Sequence, residues 1–347
     1  MDLKREFSKI HKHIKNKGLL RKCPAYYDVV ILRNICMLAV VFATAILLQK
    51  YSGNFLFQMP VALALGFVFG QFAFLAHDTG HEQVTSNLFP LVLVCYFTNI
   101  FLYGSLTGWR IKHDLHHNEP NNLALDPDCD IPLLAFTREQ AENKYGVARF
   151  LVKYQHLFLL PISTLTTIGM RLTGIQFLLR TRHPKTVLEL ALTGVSLLGY
   201  TVLWVSTFGI LKAFIFMLVA EGSFGLYMGM TFVTNHYGRS FEPTSNTDFL
   251  TKQVVTARNV GSSFPPLDAL IHFFYGGLNR QIEHHLWPYM PRCNLKRAEQ
   301  IVRKSCKEIG IDHHVISPFG AYKEIFYNFA DIGKHLRSCD KKKAYHA

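Results

Sequence analysis

Six stretches of this chain carry almost no charge, and the polar segments between them are rich in histidine. They run over about 29–48, 59–76, 88–106, 157–170, 187–209 and 210–233. About 20 apolar residues carry a helix across the hydrocarbon core. The first stretch is longer than the apolar part of a cleavable signal peptide and reads as a transmembrane helix. His77 and His81 follow the second stretch, and His113, His116 and His117 follow the third. If both groups serve one metal site, they lie on the same face of the bilayer. The stretch 88–106 then cannot cross once and is expected to be interfacial or re-entrant. The same holds for 157–170, which is also short for a crossing. Four spans in two hairpins remain, at about 29–48, 59–76, 187–209 and 210–233. The expected fold is all-α and integral to the membrane, a single domain over 1–347. A basic segment at 1–28 precedes the spans, and a helical cap with interfacial helices, made of 77–186 and 234–347, holds the metal centre. No internal repeat or low-complexity segment is visible.

Composition supports this plan, since 49% hydrophobic residues with only 18% charged is too apolar for an ordinary soluble domain. The net charge of +13 raises nucleic acid as a partner. The basic residues, however, gather at the ends and in connecting segments, and no aromatic or basic reading surface is visible, so no nucleic-acid partner is expected. Lys4, Arg5, Lys9, Lys12, Lys15, Lys17, Arg21 and Lys22 precede the first span. They place the N-terminus in the cytosol and, after four crossings, the C-terminus and every histidine cluster with it. The seven cysteines are odd in number, scattered and never spaced as CxxC. That pattern indicates neither a disulfide framework nor a zinc ribbon and suits free thiols in a reducing compartment.

Three clusters stand out among the 17 histidines: HDTGH at 77–81, HDLHH at 113–117 and QIEHH at 281–285. His77 and His81 are four apart at the end of an apolar helix, so both rings project from one face. His113 does the same with His116 or His117, and the remaining histidine can reach a second ion. His284 and His285 arrive from beyond the last hairpin, and His236 in TNHYG is a further candidate. A lone histidine is usually a surface or satisfied core residue, but clusters at the ends of apolar hairpins form a joint signal for metal. Seven or eight imidazoles oversupply one tetrahedral zinc and suit two ions, and imidazole suits iron. Asp78, Asp114, Glu283, Asp126 and Asp128 are candidates to accept the second ring N–H of ligand histidines. Two iron ions with O2 as co-substrate supply chemistry that side-chain acids and bases cannot, the removal of hydrogen from an unactivated alkyl chain. No dinucleotide fingerprint, P-loop, nucleophile elbow or HExxH pattern competes. A lipid hydroxylase on the same scaffold is the nearest alternative. A metal transporter would line a path through the bilayer, which clusters on one face do not.

Other positions carry weaker signals. Glu221 lies within the last span, where a charge lines a tunnel or locks helices together. Trp109, just before the second cluster, is a candidate wall of the substrate tunnel. Lys112, Arg239 and Arg280 read as snorkelling or positive-inside charges, with a head-group contact as the alternative. The segment 295–309 reads as a basic amphipathic helix.

At these clusters the chain resembles the membrane fatty acid desaturase family, and in particular its front-end branch, whose third histidine box opens with Gln, here Gln281. The resemblance extends through HHNEPNNLALDPD at 116–128, TNHYG at 234–238 and GGLNRQIEHHLWPYMPRCNL at 276–295, and covers about 74–310. It implies a di-iron desaturase that acts on an acyl-CoA or acyl-lipid, with insertion between an existing double bond and the carboxyl end. By resemblance His77, His81, His113, His116, His117, His236, His284 and His285 are the iron ligands. Gln281 is then near or on the iron, and Asn235 contacts it through water. Many front-end members carry a fused cytochrome b5 domain with an HPGG motif, which is not found in this sequence. An external donor of the ferredoxin or cytochrome b5 type, with its reductase, is therefore expected, in a bacterial inner membrane rather than the endoplasmic reticulum.

Overall fold

The computed structural model describes residues 2–85, 87, 93, 94, 96, 102, 104–181, 183–241 and 247–345. The expectation for 88–106 falls almost wholly outside the described residues. Helices dominate in the order α1 (Leu3–Asn16), α2 (Pro24–Tyr51), α3 (Gln58–Gly80), α4 (Leu106–Asn118), α5 (Arg138–Glu142), α6 (Gly146–Lys153), α7 (Gln155–Ser163), α8 (Thr166–Arg180), α9 (Pro184–Phe208) and α10 (Ile210–His236). They continue as α11 (Phe249–Val255), α12 (Pro265–Phe274), α13 (Gln281–Leu286), α14 (Arg292–Ile309) and α15 (Pro318–Tyr345), with two short strands, β1 (Asn259–Val260) and β2 (Val315–Ile316). The chain divides into two compact units. One comprises Met1–Leu20, Lys112–Ile162 and Thr231–Ala347, the other Arg21–Ile111 and Ser163–Met230.

The second unit is the apolar one. By length and composition four helices can cross a membrane: α2, α3 with its short lead-in from Phe55, α9 and α10. A fifth arises only if α7 and α8, broken from each other at residues 164–165, count as one span. The chain is thus an all-α, multi-pass membrane protein. Val29, Leu32 and Val40 on α2, and Val195, Leu198 and Val202 on α9, are exposed, as a surface facing hydrocarbon requires. Lipid offers no hydrophobic drive between helices, so close packing and polar contacts hold the unit together. At Gly66 a Cβ would lie 2.5 Å from the Ala220 carbonyl oxygen, so only glycine permits this approach of α3 to α10. Asn34 Nδ2 donates to the Gln71 carbonyl (3.1 Å) and Gln58 Nε2 to that of Ala45 (2.9 Å), pinning α2 to α3. Glu221 meets the Arg171 guanidinium through both carboxylate oxygens, at 3.1 and 3.4 Å. That ion pair answers the charge inside the span and locks α8 to α10.

Glu189, fully buried on α9, serves the helix that carries the second histidine cluster. Its carboxylate accepts from Ser105 Oγ (2.9 Å), Thr107 Oγ1 (2.5 Å) and the Thr107 amide (3.2 Å). Ser105 Oγ in turn accepts from the Gly108 amide (2.9 Å). Negative charge and acceptors at the first turn of α4 satisfy amides that have no partner within the helix.

The first unit has a soluble-type core. One face of α14 (Leu295, Ala298, Val302, Cys306) packs with Ile10, Ile14 and Leu19 from the N-terminal segment and with Trp287 just beyond α13. The Trp287 indole donates to His11 Nδ1 at 3.0 Å, and Phe7 stacks on its ring. The basic N-terminal segment, read from sequence only as a topology signal, is therefore also a packed amphipathic helix. The two strands pair in parallel, Asn259 with Val315 and Val260 with Ile316. Two-residue strands leave no periodicity, so the all-α expectation passed over this clamp.

Replacing Glu189 with Ala removes a charged acceptor from two hydroxyls and an amide. We expect a loss of about 2–3 kcal/mol, read as a lowered melting temperature in detergent, with Glu189→Gln intermediate.

Candidate metal centre

In the first unit three imidazoles from three segments converge. His116 comes from the last turn of α4, His236 is the last residue of α10, and His285 lies on α13. All three are buried, and one donor atom from each lies within 4.8 Å of the others. Their ring centroids are 4.7, 4.7 and 5.0 Å apart. Each Nδ1 has its own acceptor. Asp126 Oδ2 takes His116 at 2.9 Å, the Thr256 carbonyl takes His236 at 3.0 Å, and Gln253 Oε1 takes His285 at 2.9 Å. A proton fixed on Nδ1 leaves the Nε2 lone pair for a cation, which is the tautomer a metal ligand needs. This donor set fits a metal ion of intermediate softness such as iron.

The acceptors are themselves held in place. Asp126 caps a short 3-10 turn through the Asp128 amide (2.8 Å) and also takes the Asn121 amide (2.8 Å). Asn121, at φ 57°, donates through its side chain to the carbonyls of His236, Ser240 and Thr256. Gln253, which no sequence motif singles out, also donates to the His117 carbonyl at 2.9 Å and so ties the second cluster to the third. Burial disfavours charge on His116, yet the Asp126 hydrogen bond and charge, helped by Asp128, raise its pKa overall. Burial likewise pushes the Asp128 carboxyl up, but the Lys112 ammonium at 2.8 Å and the His116 ring bring it down to about 2.

A second set lies alongside. His113 and His117 bring their Nε2 atoms to 3.1 Å, and the ring of His284 is 4.8 Å from that of His117. The Gln281 amide nitrogen stands 3.1 Å from His236 Nε2, while its oxygen accepts from Asn235 Nδ2 at 3.2 Å. Asn235 Oδ1 is buried with no hydrogen-bond partner among the described residues. In the second unit His77 and His81 sit one turn apart with ring centroids 4.7 Å apart, and Asp78 Oδ1 is 3.5 Å from His77 Nδ1. Trp109 lies 6.0 Å from both rings and against Gly80, where a Cβ would collide with it.

Three acids differ in use from the sequence expectation. Asp114 is exposed. Asp128 spends its charge mainly on Lys112. Glu283, fully buried, turns from the cluster to accept from Asn259 Nδ2 and from His313, each at 2.7 Å. His313, unassigned by sequence, thus anchors the helix that carries His284 and His285. Arg280 is committed too, paired with Asp268 at 2.6 Å and Glu299 at 2.7 Å, and Arg239 lies 3.8 Å from Asp312. These cations face acids of the chain itself.

The fatty acid desaturase family model matches residues 54–317. The chain belongs to the fatty acid desaturase family. Its relatives include the Delta(8)-fatty-acid desaturase of Helianthus annuus, 26% identical over 92% of this chain and 71% of that one. The acyl-lipid (9-3)-desaturase of Physcomitrium patens is 30% identical over 91% of this chain and 60% of its own length. The Delta(5) fatty acid desaturase of Caenorhabditis elegans is 28% identical over 96% and 76%. The protein is accordingly an oxidoreductase of lipid metabolism that desaturates fatty acyl chains, and it requires a fatty acyl substrate and an electron donor.

Burial lowers the pKa of His313, but the Glu283 hydrogen bond and charge outweigh it and raise it above the ordinary value of 6.5. The pairing therefore stabilises the fold fully below about pH 6.5 and fades as pH rises through the raised value. His313→Ala leaves a buried carboxylate without its partner and is expected to cost about 3–5 kcal/mol near neutral pH. Thermal melts at several pH values should show the deficit shrinking on the alkaline side.

Proposed function

We propose that the protein uses O2 to insert a double bond into an acyl-CoA or acyl-lipid chain at two iron ions on the cytosolic face of the membrane, and that the whole chain works as one desaturase domain. His116, His236 and His285 hold one ion, and by the family resemblance the other box histidines, His77, His81, His113, His117 and His284, are iron ligands as well. The observation that carries this reading is the trio of buried imidazoles whose Nδ1 atoms all meet acceptors, with one ligand atom of each ring within 4.8 Å of the others.

Bound iron supplies the oxygen activation needed to remove hydrogen from a methylene group. The chain's own part is to hold and orient. Asp126, Thr256 and Gln253 hold the ligand rings by Nδ1 and aim them, Gln281 and Asn235 present amides beside His236, and Asp78 steadies His77. Trp109, packed by the first box, bounds the path of the acyl chain. Glu221 is read as a lock between helices, since Arg171 engages it. Front-end regiochemistry is supported by Gln281 and by relatives named as Delta(5) and Delta(8) desaturases. The electron donor is a carrier of the ferredoxin or cytochrome b5 type with its reductase, drawn by the basic cytosolic segments.

Expression in a host with a profiled fatty acid pool tests this directly. Wild type should yield a new unsaturated species whose double bond is placed by mass spectrometry, and His284→Ala should yield none and retain less iron. A hydroxylated product would transfer the chain to the sister chemistry, and folded wild-type protein without iron would overturn the reading. Asp126→Ala, which frees the His116 ring, should weaken iron binding by about 10–100-fold in chelator competition.

A further inference from the structure

Away from the boxes, a second group of ligating side chains meets on the first unit. Glu142 ends α5, and His335 and Cys339 lie four apart on α15, so both project from one face of that helix. Glu142 Oε1 is 2.5 Å from His335 Nε2, Cys339 Sγ is 3.5 Å from the same nitrogen, and the sulfur and carboxylate oxygen are 4.0 Å apart. We propose that Glu142, His335 and Cys339 form a site for a soft divalent cation, Zn2+ by its chemistry, that clamps α15 to α5 independently of the histidine boxes.

Two observations separate this from an ion pair with a thiol beside it or from a nucleophilic relay. A Cys–His–acid relay uses opposite nitrogens of the ring, one for the thiol and one for the acid. Here both partners approach Nε2, so three donor atoms converge on one point. The spacing also suits a tetrahedral ion. With Zn–S about 2.3 Å and Zn–N and Zn–O about 2.0–2.2 Å, neighbouring ligand atoms stand roughly 3.3–3.6 Å apart. The His335–Cys339 separation already matches, Glu142–Cys339 is close, and a rotation of the Glu142 side chain opens the remaining contact.

The backbone beneath is held in register without the ion. Arg138 pairs with Asp331 at 2.8 Å, and Arg149 and Lys153 both pair with Asp340 at 2.5 Å. Glu142 and His335 are 52% and 28% exposed, so a cation can enter and a water can complete its shell. Thiolate, imidazole and carboxylate together select zinc over calcium or magnesium. Binding releases to solvent both the Cys339 thiol proton and the proton that His335 Nε2 shares with Glu142, as the sulfur–metal and nitrogen–metal bonds form.

Co2+ is the probe, because a thiolate ligand gives it a charge-transfer absorption that histidine and carboxylate do not. Purified full-length protein in detergent should take up Co2+ with this absorption, lose it on Zn2+ addition and show a higher melting temperature with Zn2+. Cys339→Ser should abolish the absorption, and Glu142→Gln and His335→Gln should each weaken Co2+ binding at least about tenfold. Metal-free melting temperatures and desaturation should stay at wild-type levels, because none of the three lies in the boxes. An absorption that persists in Cys339→Ser, unchanged affinity in both other variants, or no absorption in the wild type would overturn the proposal.

Discussion

A buried imidazole can give a lone pair to a cation only when the proton on its other nitrogen is held elsewhere, and the cap is organised around that requirement. Asp126, the Thr256 carbonyl and Gln253 each fix one Nδ1. Without them the three rings would compete for protons or rotate, and three neutral lone pairs could not face one point in a site with little water to solvate them.

The surrounding polar network secures those acceptors in turn. Asn121 spans three carbonyls around His236, and Gln253 reaches both a ring of the third box and the backbone of the second. Glu283, placed between box residues, holds its helix to Asn259 and His313 instead of orienting a ring. The apolar unit follows the same rule with different material. Glu189 caps the helix of the second box, and the Arg171–Glu221 pair keeps a charge inside a span answered. In both units, these buried charges and amides near the histidine clusters are spent on position.

Much of this was legible beforehand. The four long apolar helices follow from hydropathy, because crossing hydrocarbon demands length and apolarity that the residues state directly. The His113, His116 and His117 triplet and the His77–His81 spacing mark candidate ligands because a helix sets which residues share a face. The amphipathic segment at 295–309 lies within α14, with Leu295, Ala298, Val302 and Cys306 inward. Less legible were β1 and β2, too short to show a period, and the packing role of the N-terminal helix, whose lysines signal topology more loudly than Ile10 and Ile14 signal burial.

The sequence by itself determined the class of chemistry, since histidine clusters at the ends of apolar helices define a metal site at a membrane surface. It also determined the family, through motifs whose residues are contiguous. Tertiary structure alone decided which acceptor serves which ring. Gln253, Thr256, His313 and Glu189 lie 20 to 136 positions from the groups they serve and carry no local signature. Ligand identity depends on residue type and local spacing, which a chain carries in order. Ligand orientation depends on hydrogen bonds between segments that become neighbours only when the chain folds.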